Sequence, residues 1–369
     1  MSFEKPVVVI DNGSYNIKAG FSCDNHPVAM FRTVVGRPSY LNGGYGREYY
    51  DVHIGDEAVA KIDELDLNQP IVNGRIVHWD NMERIWHYLF YKELKVAPED
   101  RSMMLACSAV SSMDEKLKCC EIIFETLNIP ALCIQSQAVL SLYGSGYSTG
   151  ISVDLGYDTA DVCPVYEGGL IRYAHMQTNY AGAQFANFFK ESLAEKNYHD
   201  FGIRTPEILE GMKRYLYITQ DISMSRKDYK RIYTLPSGEK IDIGYEAFMG
   251  AEMIFQPRVI MGPNVNVIAL QEAIVTAAMK CDADLRSELY EAVVLCGGMS
   301  MIPGLSTRLA TEVEEITHKP VNILMTSEAY AVAWLGGATF AGMPASKQMW
   351  VTKKQYKDYG AKIVKNKFM

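Results

Sequence analysis

The sequence has no apolar run of the roughly 20 residues that a membrane-spanning helix requires. Its first residues, MSFEKPVVVI, lack the basic segment and apolar core of a secretion signal, so we expect no export signal. Lysine and arginine number 36 against 44 acidic residues, and the net charge of −8 argues against bulk nucleic-acid binding, although not against a local basic patch. Low-complexity linkers are absent. The 369 residues suffice for two domains with substantial cores.

The eight cysteines lack the spacing of a zinc site. Cys119 and Cys120 are adjacent on a predicted helix, and the others lie in apolar runs. This distribution predicts reduced, mostly buried thiols in an intracellular protein.

The stretch PVVVIDNGSYNIKAGF at residues 6–21 predicts a strand, a tight turn and a second strand. Four successive apolar residues, 7–10, indicate a strand that is buried on both faces. In the turn, backbone amides and the ammonium of Lys18 can face a phosphate, and Asp11 can hold the water shell of a metal ion. A solvated hairpin turn is the alternative, because Asp-Asn-Gly is common in turns.

A similar arrangement recurs at residues 150–166, where an apolar run ends at Asp154 and Gly156 and a second extended run follows. A third apolar run, 292–296, leads into Gly297-Gly298 without the aspartate. Two strand-turn motifs of the form Asp-x-Gly, far apart in the chain, indicate a duplicated domain with one ligand between its halves. The glycine pair would let the backbone approach that ligand closely.

Distinctive segments follow one another in order over almost the whole chain. They are VVIDNGS with KAGF, VVGRP at 34–38, IGDEA at 54–58, WDNMERIWHYLFYKELKVAPE at 79–99, QAVLSLYGSG at 137–146, PVYEGG at 164–169, FQP at 255–257, MKCDADLR at 279–286, CGGMSMIPGL at 296–305 and QMW at 348–350. In these segments the chain resembles the actin family, as a divergent actin-related protein. The resemblance implies an α/β protein with the duplicated ATPase fold of actin, Hsp70 and hexokinase, in which a nucleotide cleft lies between two domains.

The resemblance also implies two domain cores, each with an outer insert. The loop at 39–48 in one insert would reach into a neighbouring filament subunit, but Asn and Gly stand where actins have an apolar tip. A flexible surface loop is the alternative. The expected parts are subdomain 1 at 1–32, 70–140 and 331–369, subdomain 2 at 33–69, subdomain 3 at 141–180 and 260–330, and subdomain 4 at 181–259.

By the same resemblance the protein binds ATP or ADP with Mg²⁺. The metal would lie near Asp11 and Asp154, and Gln137 would orient the water that attacks the nucleotide. A hydrogen bond that only fixes the hinge helix is the alternative role for Gln137. The residues expected to bind the nucleotide are Gly13, Ser14, Lys18, Gly156, Gly182, Lys213, Gly297, Gly298 and Tyr330.

Several residues depart from the actin pattern around the phosphates. Tyr15 replaces a glycine in the first turn, and Tyr157 and Asp158 replace an aspartate and a glycine in the second. Asp161 stands where actins carry a histidine that helps to arrange the attacking water. These changes predict weak or absent ATP hydrolysis, so that the protein is at most a slow ATPase.

The adenine side differs as well. Lys213 matches, but Glu210 replaces an arginine, and Arg214 replaces a glutamate that binds the ribose. Arginine only donates hydrogen bonds, so it cannot accept them from the ribose hydroxyls. Tyr330 stands in place of a lysine and Ile302 in place of a tyrosine. Tyr330 could stack on adenine, or it could simply fill an emptied pocket.

Periodicity predicts further elements. Residues 80–94 form an amphipathic helix capped by Asp80 or Asn81, and a second helix spans about 113–127. A hinge helix is expected over 137–143, and 232–235 with 240–243 predict a hairpin.

The function implied is that of a cytoplasmic, cytoskeletal, ATP-binding protein that forms or joins filaments or a larger complex. A groove lined by Tyr143, Gly146, Phe340, Met343 and Met349 would receive partner helices, with core packing as the alternative for Phe340. Other functions remain open: a nucleotide-binding subunit of a chromatin-remodelling complex in the nucleus, or less favourably a sugar or acid kinase. An Hsp70-like chaperone is disfavoured, because no substrate-binding domain follows the ATPase fold.

Overall fold

The computed structural model describes residues 5–38, 52–178, 180–196, 211, 213–219, 230–234, 238–258, 262 and 267–368. The loop at 39–48 and Glu210 therefore lie outside the described residues. The chain divides into two compact units: the first is Met1–Ser148, Gly168–Leu170 and Ala331–Met369, and the second is Thr149–Glu167 and Ile171–Tyr330.

The strands, in chain order, are β1 (Val8–Asn12), β2 (Asn16–Phe21), β3 (Ala29–Arg32), β4 (Val35–Pro38), β5 (His53–Ile54), β6 (Leu65–Asn68), β7 (Ile71–Val72), β8 (Arg75–Ile76), β9 (Met103–Cys107), β10 (Ala131–Ser136), β11 (Gly150–Leu155), β12 (Ala160–Tyr166), β13 (Gly169–Leu170), β14 (Met176–Thr178), β15 (Arg231–Thr234), β16 (Lys240–Ile243), β17 (Val293–Cys296), β18 (Ile323–Met325) and β19 (Val351–Thr352).

The α-helices are α1 (Asp56–Ala60), α2 (Trp79–Tyr88), α3 (Met113–Glu121), α4 (Gln137–Gly144), α5 (Gly182–Ala194), α6 (Glu246–Glu252), α7 (Leu270–Lys280), α8 (Arg286–Tyr290), α9 (Leu305–Thr317), α10 (Val332–Gly342), α11 (Lys353–Tyr359) and α12 (Ala361–Lys367). The helix predicted over 137–143 is present as α4, and the hairpin predicted near 232–243 is present as β15 with β16; the hinge role of α4 stays a prediction.

The first unit contains a sheet of strand order β19-β10-β9-β1-β2-β3. Strand β1 is antiparallel to β2 and parallel to β9, and β9 is parallel to β10. Val8 and Ile10 pack with Trp86 on one face, whereas Val9 packs with Trp334 on the other. The prediction that β1 is buried on both faces is therefore confirmed, and the hairpin turn lies at the end of a rigid strand.

The helix predicted over 80–94 is present, but it begins differently. Its apolar stripe is buried in the core of the first unit, and the last turn, Leu89–Glu93, is π-helical. The N-cap residue is His78, without a side-chain capping bond, so the prediction of Asp80 or Asn81 is wrong. Asn81 is instead buried, where it accepts a hydrogen bond from Arg37 at 2.6 Å. The predicted helix at 113–127 is α3, followed by a second π-helical turn.

The second unit repeats the plan of the first. Strands β11 and β12 form an antiparallel hairpin, β17 pairs with β11 in parallel, and β18 pairs with β17 in parallel. The third apolar run of the sequence is thus a strand, β17, but a 3₁₀ turn, Gly298–Met301, follows it rather than a returning strand. A hairpin followed by parallel strands in each unit bears out the duplicated α/β fold.

Helices α4 and α10 of the first unit pack with their backbones in close contact. A Cβ atom added at Gly336 would lie 1.7 Å from the carbonyl oxygen of Leu140, and one added at Gly144 would lie 2.3 Å from that of Val332. Real Cβ atoms do not approach that closely, so both positions require glycine.

None of the eight cysteines forms a disulfide. Six are buried, Cys107 is partly buried and Cys23 is exposed. Burial raises the pKa of the Cys120 thiol to about 12 and raises that of Cys133 as well. The expectation of mostly buried thiols is confirmed. Within the described residues, no helix combines the length and the hydropathy needed to cross a bilayer.

Candidate functional site

The turn of the first hairpin is held in place by the chain that follows β3. Gly13 lies between β1 and β2, and an added Cβ there would be 2.4 Å from the carbonyl oxygen of Asn16. The hydroxyl of Thr33 donates to the carbonyl of Gly13 at 2.7 Å, and the amide of Thr33 donates to that of Tyr15 at 2.9 Å. Thr33 is buried, so these bonds are shielded from water. The turn is a fixed structure rather than a loosely solvated loop.

Asp11 is a buried carboxylate in strand β1 of the first unit. Its carboxylate is 3% exposed; Oδ2 accepts from Nζ of Lys18 at 2.9 Å, and Oδ1 accepts from Nε2 of Gln137 at 2.6 Å. Lys18 lies across the same hairpin from Asp11, whereas Gln137 is 126 residues away along the chain. A buried carboxylate is stable only with such partners, and removal of either partner would leave it under-compensated.

The second hairpin is joined to a helix. In its turn, the amide of Gly156 donates to the carbonyl of Thr159 at 3.0 Å. The first amides of α5 donate to the turn: Gly182 to the carbonyl of Gly156 at 3.1 Å, and Ala183 to that of Tyr157 at 2.8 Å. Two predicted nucleotide-binding residues, Gly156 and Gly182, are therefore in direct contact.

Gly297 approaches Asp154 closely in the second unit. Its φ is +88°, and an added Cβ would lie 2.3 Å from Oδ1 of Asp154 and 2.4 Å from the carbonyl oxygen of Leu155. Its amide donates to the carbonyl of Ala329 at 3.0 Å, next to the partly buried Tyr330. At Gly298 an added Cβ would meet no atom within 4 Å, so space is open there. The predicted glycine pair thus lies beside the predicted metal-facing carboxylate.

Asp161 accepts hydrogen bonds from three side chains. Oδ2 accepts from Thr159 at 2.8 Å, and Oδ1 accepts from Gln177 at 3.0 Å and lies 2.7 Å from Nε2 of His175. Asp161 also faces Asp154 across the β11–β12 pair. The sequence singles out Asp161 but not these partners: Gln177 pairs with it through the β12–β14 register, and His175 directly precedes β14.

The adenine-side residues are less completely placed. Lys213 begins a short 3₁₀ turn, Lys213–Tyr215. Arg214 is exposed, and its guanidinium lies 5.1 Å from the ring centroid of Tyr215 and 5.7 Å from that of Tyr233. Ile302 is a core residue, packed in the main cluster of the second unit. Arg214 thus contacts aromatic rings of its own unit.

The carboxylates predicted to face a metal suit a hydrated Mg²⁺ ion better than a metal ion that is coordinated by protein side chains alone. In the part of the chain that the structure describes, no three His, Cys, Asp or Glu side chains converge on one point. Mg²⁺ usually keeps several waters and binds through one or two carboxylates together with phosphate oxygens. Asp11 in the first unit and Asp154 in the second are each single carboxylates, the type of ligand that Mg²⁺ takes.

Sequence reasoning did not single out Arg32. Its guanidinium carbon lies 3.7 Å from the ring centroid of Tyr15, in the turn of the first hairpin. The sequence marks Tyr15 as a departure from the actin pattern, but its contact with Arg32 follows from the β2–β3 pairing, in which Asn16 faces Arg32.

The side chains predicted to form a partner groove are close together in the first unit. The rings of Tyr143 and Phe340 are 5.4 Å apart, and Met343 and Met349 pack on the same cluster. Phe340 is 5% exposed and packs in the core, whereas the other three are partly buried.

The family model described as Actin matches residues 2–205 and 196–369. The two segments overlap at 196–205 and together span nearly the whole chain.

Proposed function

This chain belongs to the actin family, and from that premise we propose that it binds ATP or ADP with Mg²⁺ and forms or joins filaments or a larger complex in the cytoskeleton. The observation that carries the nucleotide-binding proposal is the convergence of Lys18 and Gln137 on the buried carboxylate of Asp11. Such an arrangement of a cation, a carboxylate and turn amides suits a polyphosphate with its metal.

In the proposed mechanism the protein mainly positions the reactants. The amides of the first turn and Lys18 bind phosphate oxygens, and Mg²⁺, when bound, neutralises part of their charge. Because Nε2 of Gln137 donates to Asp11, the side-chain oxygen is the atom that can accept a hydrogen bond from water. Gln137 therefore orients the attacking water, whereas Asp161, already bonded to Thr159, Gln177 and His175, contributes no imidazole.

We expect phosphate release from Mg-ATP to be at least about tenfold slower than from a conventional actin filament measured in parallel, which is about 1.4 kcal/mol in the barrier. Asp161→His should raise the rate if the surrounding geometry survives, and Asp161→Asn, which keeps the shape without an imidazole, should not. A wild-type rate equal to that of the conventional filament would contradict this expectation.

The test of the assembly proposal is sedimentation and electron microscopy of the purified protein with Mg-ATP. In the loop at 39–48, Leu41 and Tyr45 are flanked by Asn and Gly, so less apolar surface is available to bury than in an apolar tip. Fixing the glycines costs about 1 kcal/mol or more each. Filaments of this protein alone should therefore be short or absent at micromolar concentration. Long filaments with a critical concentration as low as that of conventional actin would refute the weak contact, whereas co-sedimentation with another filament would support joining.

We also propose that residues 33–69 and 181–259 are the outer inserts of the two domain cores. The surface formed by Tyr143, Met343 and Met349, which packs over the buried Phe340, is proposed to receive an apolar helix of a partner. The partly buried methionines and the tyrosine support this role, because flexible sulfur-containing side chains adapt to a docked helix.

A further inference from the structure

The charge of the chain is distributed unevenly. Residues 347–369 contain seven lysines, no arginine and one acidic residue, Asp358, so their formal charge is +6. The net charge of the chain is −8, which leaves −14 for residues 1–346. A local basic patch therefore lies in an otherwise acidic protein, and it contains none of the residues proposed to bind the nucleotide.

Four of these lysines repeat one spacing on the last two helices. Lys354 and Lys357 lie three residues apart on α11, and all residues between them belong to that helix. Lys362 and Lys365 lie three residues apart on α12. All four are exposed, and residues three apart share one side of a helix. Because α11 and α12 also contact each other, we call these four side chains the lysine face.

The lysine face has no ion pairs of its own. In the part of the chain that the structure describes, none of its four ammonium groups pairs with a carboxylate. The other lysines of the two helices bond within the fold: Lys353 donates to Oδ1 of Asn128, and Lys367 donates to the carbonyl of Gln348. Like charges three or four residues apart destabilise a helix, so an external anion would relieve a repulsion that the fold leaves in place.

The carboxylates near α11 do not neutralise the lysine face. Glu121 and Glu125 lie near Tyr356, on the side of α11 that packs on the core. Glu121 is also paired with Lys118 at 2.7 Å. Even if Asp358 and Glu125 are both counted in full against the four lysines, a net charge of +2 remains.

The two helices are docked firmly on the first unit. The ring of Tyr356 stacks on that of Phe124, with the centroids 4.8 Å apart, and Val364 is buried in the same core. After α12, Phe368 is 2% exposed, and its carbonyl accepts from Nζ of the buried Lys116 at 2.7 Å. The helices that carry the lysine face therefore need not be ordered by a partner, which lowers the entropic cost of binding.

Two classes of anionic partner suit this face poorly. Helices that bind a bilayer insert an apolar side, but here the apolar sides lie in the core; among the residues of α11 and α12, all of which the structure describes, the one exposed aromatic ring is Tyr359. Arginine, the usual reader of bases and bidentate partner of phosphate, is absent from 347–369. A long nucleic acid would also extend beyond the face onto a remainder with a charge of −14.

We propose that the lysine face binds a short acidic segment, rich in aspartate and glutamate, of another protein. Each helix has seven residues and is about 10 Å long, so an extended segment of about six residues would span both. Charge complementarity favours such a segment, because it can cover the four lysines without crossing the acidic remainder of the surface. The proposal does not depend on nucleotide binding.

The test is fluorescence anisotropy of a labelled polyglutamate peptide of about 12 residues, titrated with the full-length protein at low and at high salt. Wild type should bind, and salt should weaken the binding. The double variant Lys354→Glu with Lys357→Glu should bind at least about tenfold more weakly, because two attractive charges become repulsive. The matched control reverses two exposed lysines elsewhere, Lys92→Glu with Lys190→Glu, and should bind like wild type despite the same change in net charge.

A second double variant tests the other helix without reversing any charge. Lys362→Gln with Lys365→Gln keeps side chains of similar length and should also weaken binding, by a smaller factor. Circular dichroism should show the helix content and unfolding midpoint of wild type in all variants, because the substituted side chains are exposed.

Four results would overturn the proposal. The first is no binding of the peptide by wild type, and the second is equal binding by wild type and both lysine-face variants. The third is tighter lysine-dependent binding of phosphatidylserine vesicles or of single-stranded DNA than of the peptide, which would identify a lipid or nucleic-acid surface. The fourth is self-association of wild type in sedimentation velocity that the variants lose, which would identify a second copy of this chain as the occupant.

Discussion

Gly336→Ala should lower the free energy of unfolding by at least about 4 kcal/mol, an exceptional loss for a single substitution, because the new Cβ would overlap backbone atoms. The new Cβ would lie 1.7 Å from the carbonyl oxygen of Leu140 and 2.8 Å from the amide nitrogen of Gly144. These are backbone atoms of α4, so no side-chain rotation can relieve the contact. The two helices would have to separate, which would disrupt the packing of Trp334 and Leu140 in the core.

The matched control is Gly342→Ala, in the last turn of the same helix. An added Cβ at Gly342 meets no atom within 4 Å, so alanine there should be neutral or stabilise the helix by up to about 1 kcal/mol. Denaturant unfolding followed by circular dichroism measures both variants. A Gly336→Ala protein as stable as wild type would show that α4 and α10 do not pack at this distance.

Asp154→Ala should reduce the affinity for Mg-ATP at least about a hundredfold, which corresponds to about 2.8 kcal/mol. The reason is the loss of one of the two carboxylates proposed to face the metal; this carboxylate lies so close to Gly297 that a Cβ added there would be 2.3 Å from Oδ1. Tyr330→Ala should weaken binding only modestly, because it removes at most one stacking contact.

Calorimetry with and without Mg²⁺ separates a metal ligand from a structural residue. The variant should lose most of the magnesium-dependent part of the affinity, whereas Asp284→Ala, at an exposed aspartate of the same unit, should bind like wild type. Unaltered magnesium dependence in Asp154→Ala would remove this carboxylate from the metal site.

Strands with continuous apolar runs could be predicted from the sequence, because the run itself indicates a buried strand. The runs of apolar residues in β1 and β11 require burial on both faces, so these strands and their turns could be located from the pattern alone. The helix start at His78 could not be predicted, because no side-chain capping bond marks it.

The site shows the same limit. Turn chemistry pointed to Asp11 and Lys18, which face each other across one hairpin. The stack of Tyr15 on Arg32 and the bonds from His175 and Gln177 to Asp161 depend on the register between strands that are separate in sequence. Register follows from the whole pattern of burial and turns, so no local motif predicts these contacts. The close packing of α4 on α10 could not be predicted either. A glycine within a helical sequence does not indicate which other helix packs against it.

The unequal exposure of the thiols allows one cysteine to be labelled selectively with a fluorescent dye. Cysteine chemistry requires access and a thiolate, and burial denies both to residues such as Cys120 and Cys133. With Cys107→Ser, Cys23 would be the one thiol outside the buried set, since all eight cysteines lie in the described part of the chain. A maleimide dye would then attach at a single known position in the folded protein. Fluorescence anisotropy of that dye can follow assembly in real time, without a fusion partner that would itself alter the surfaces under test.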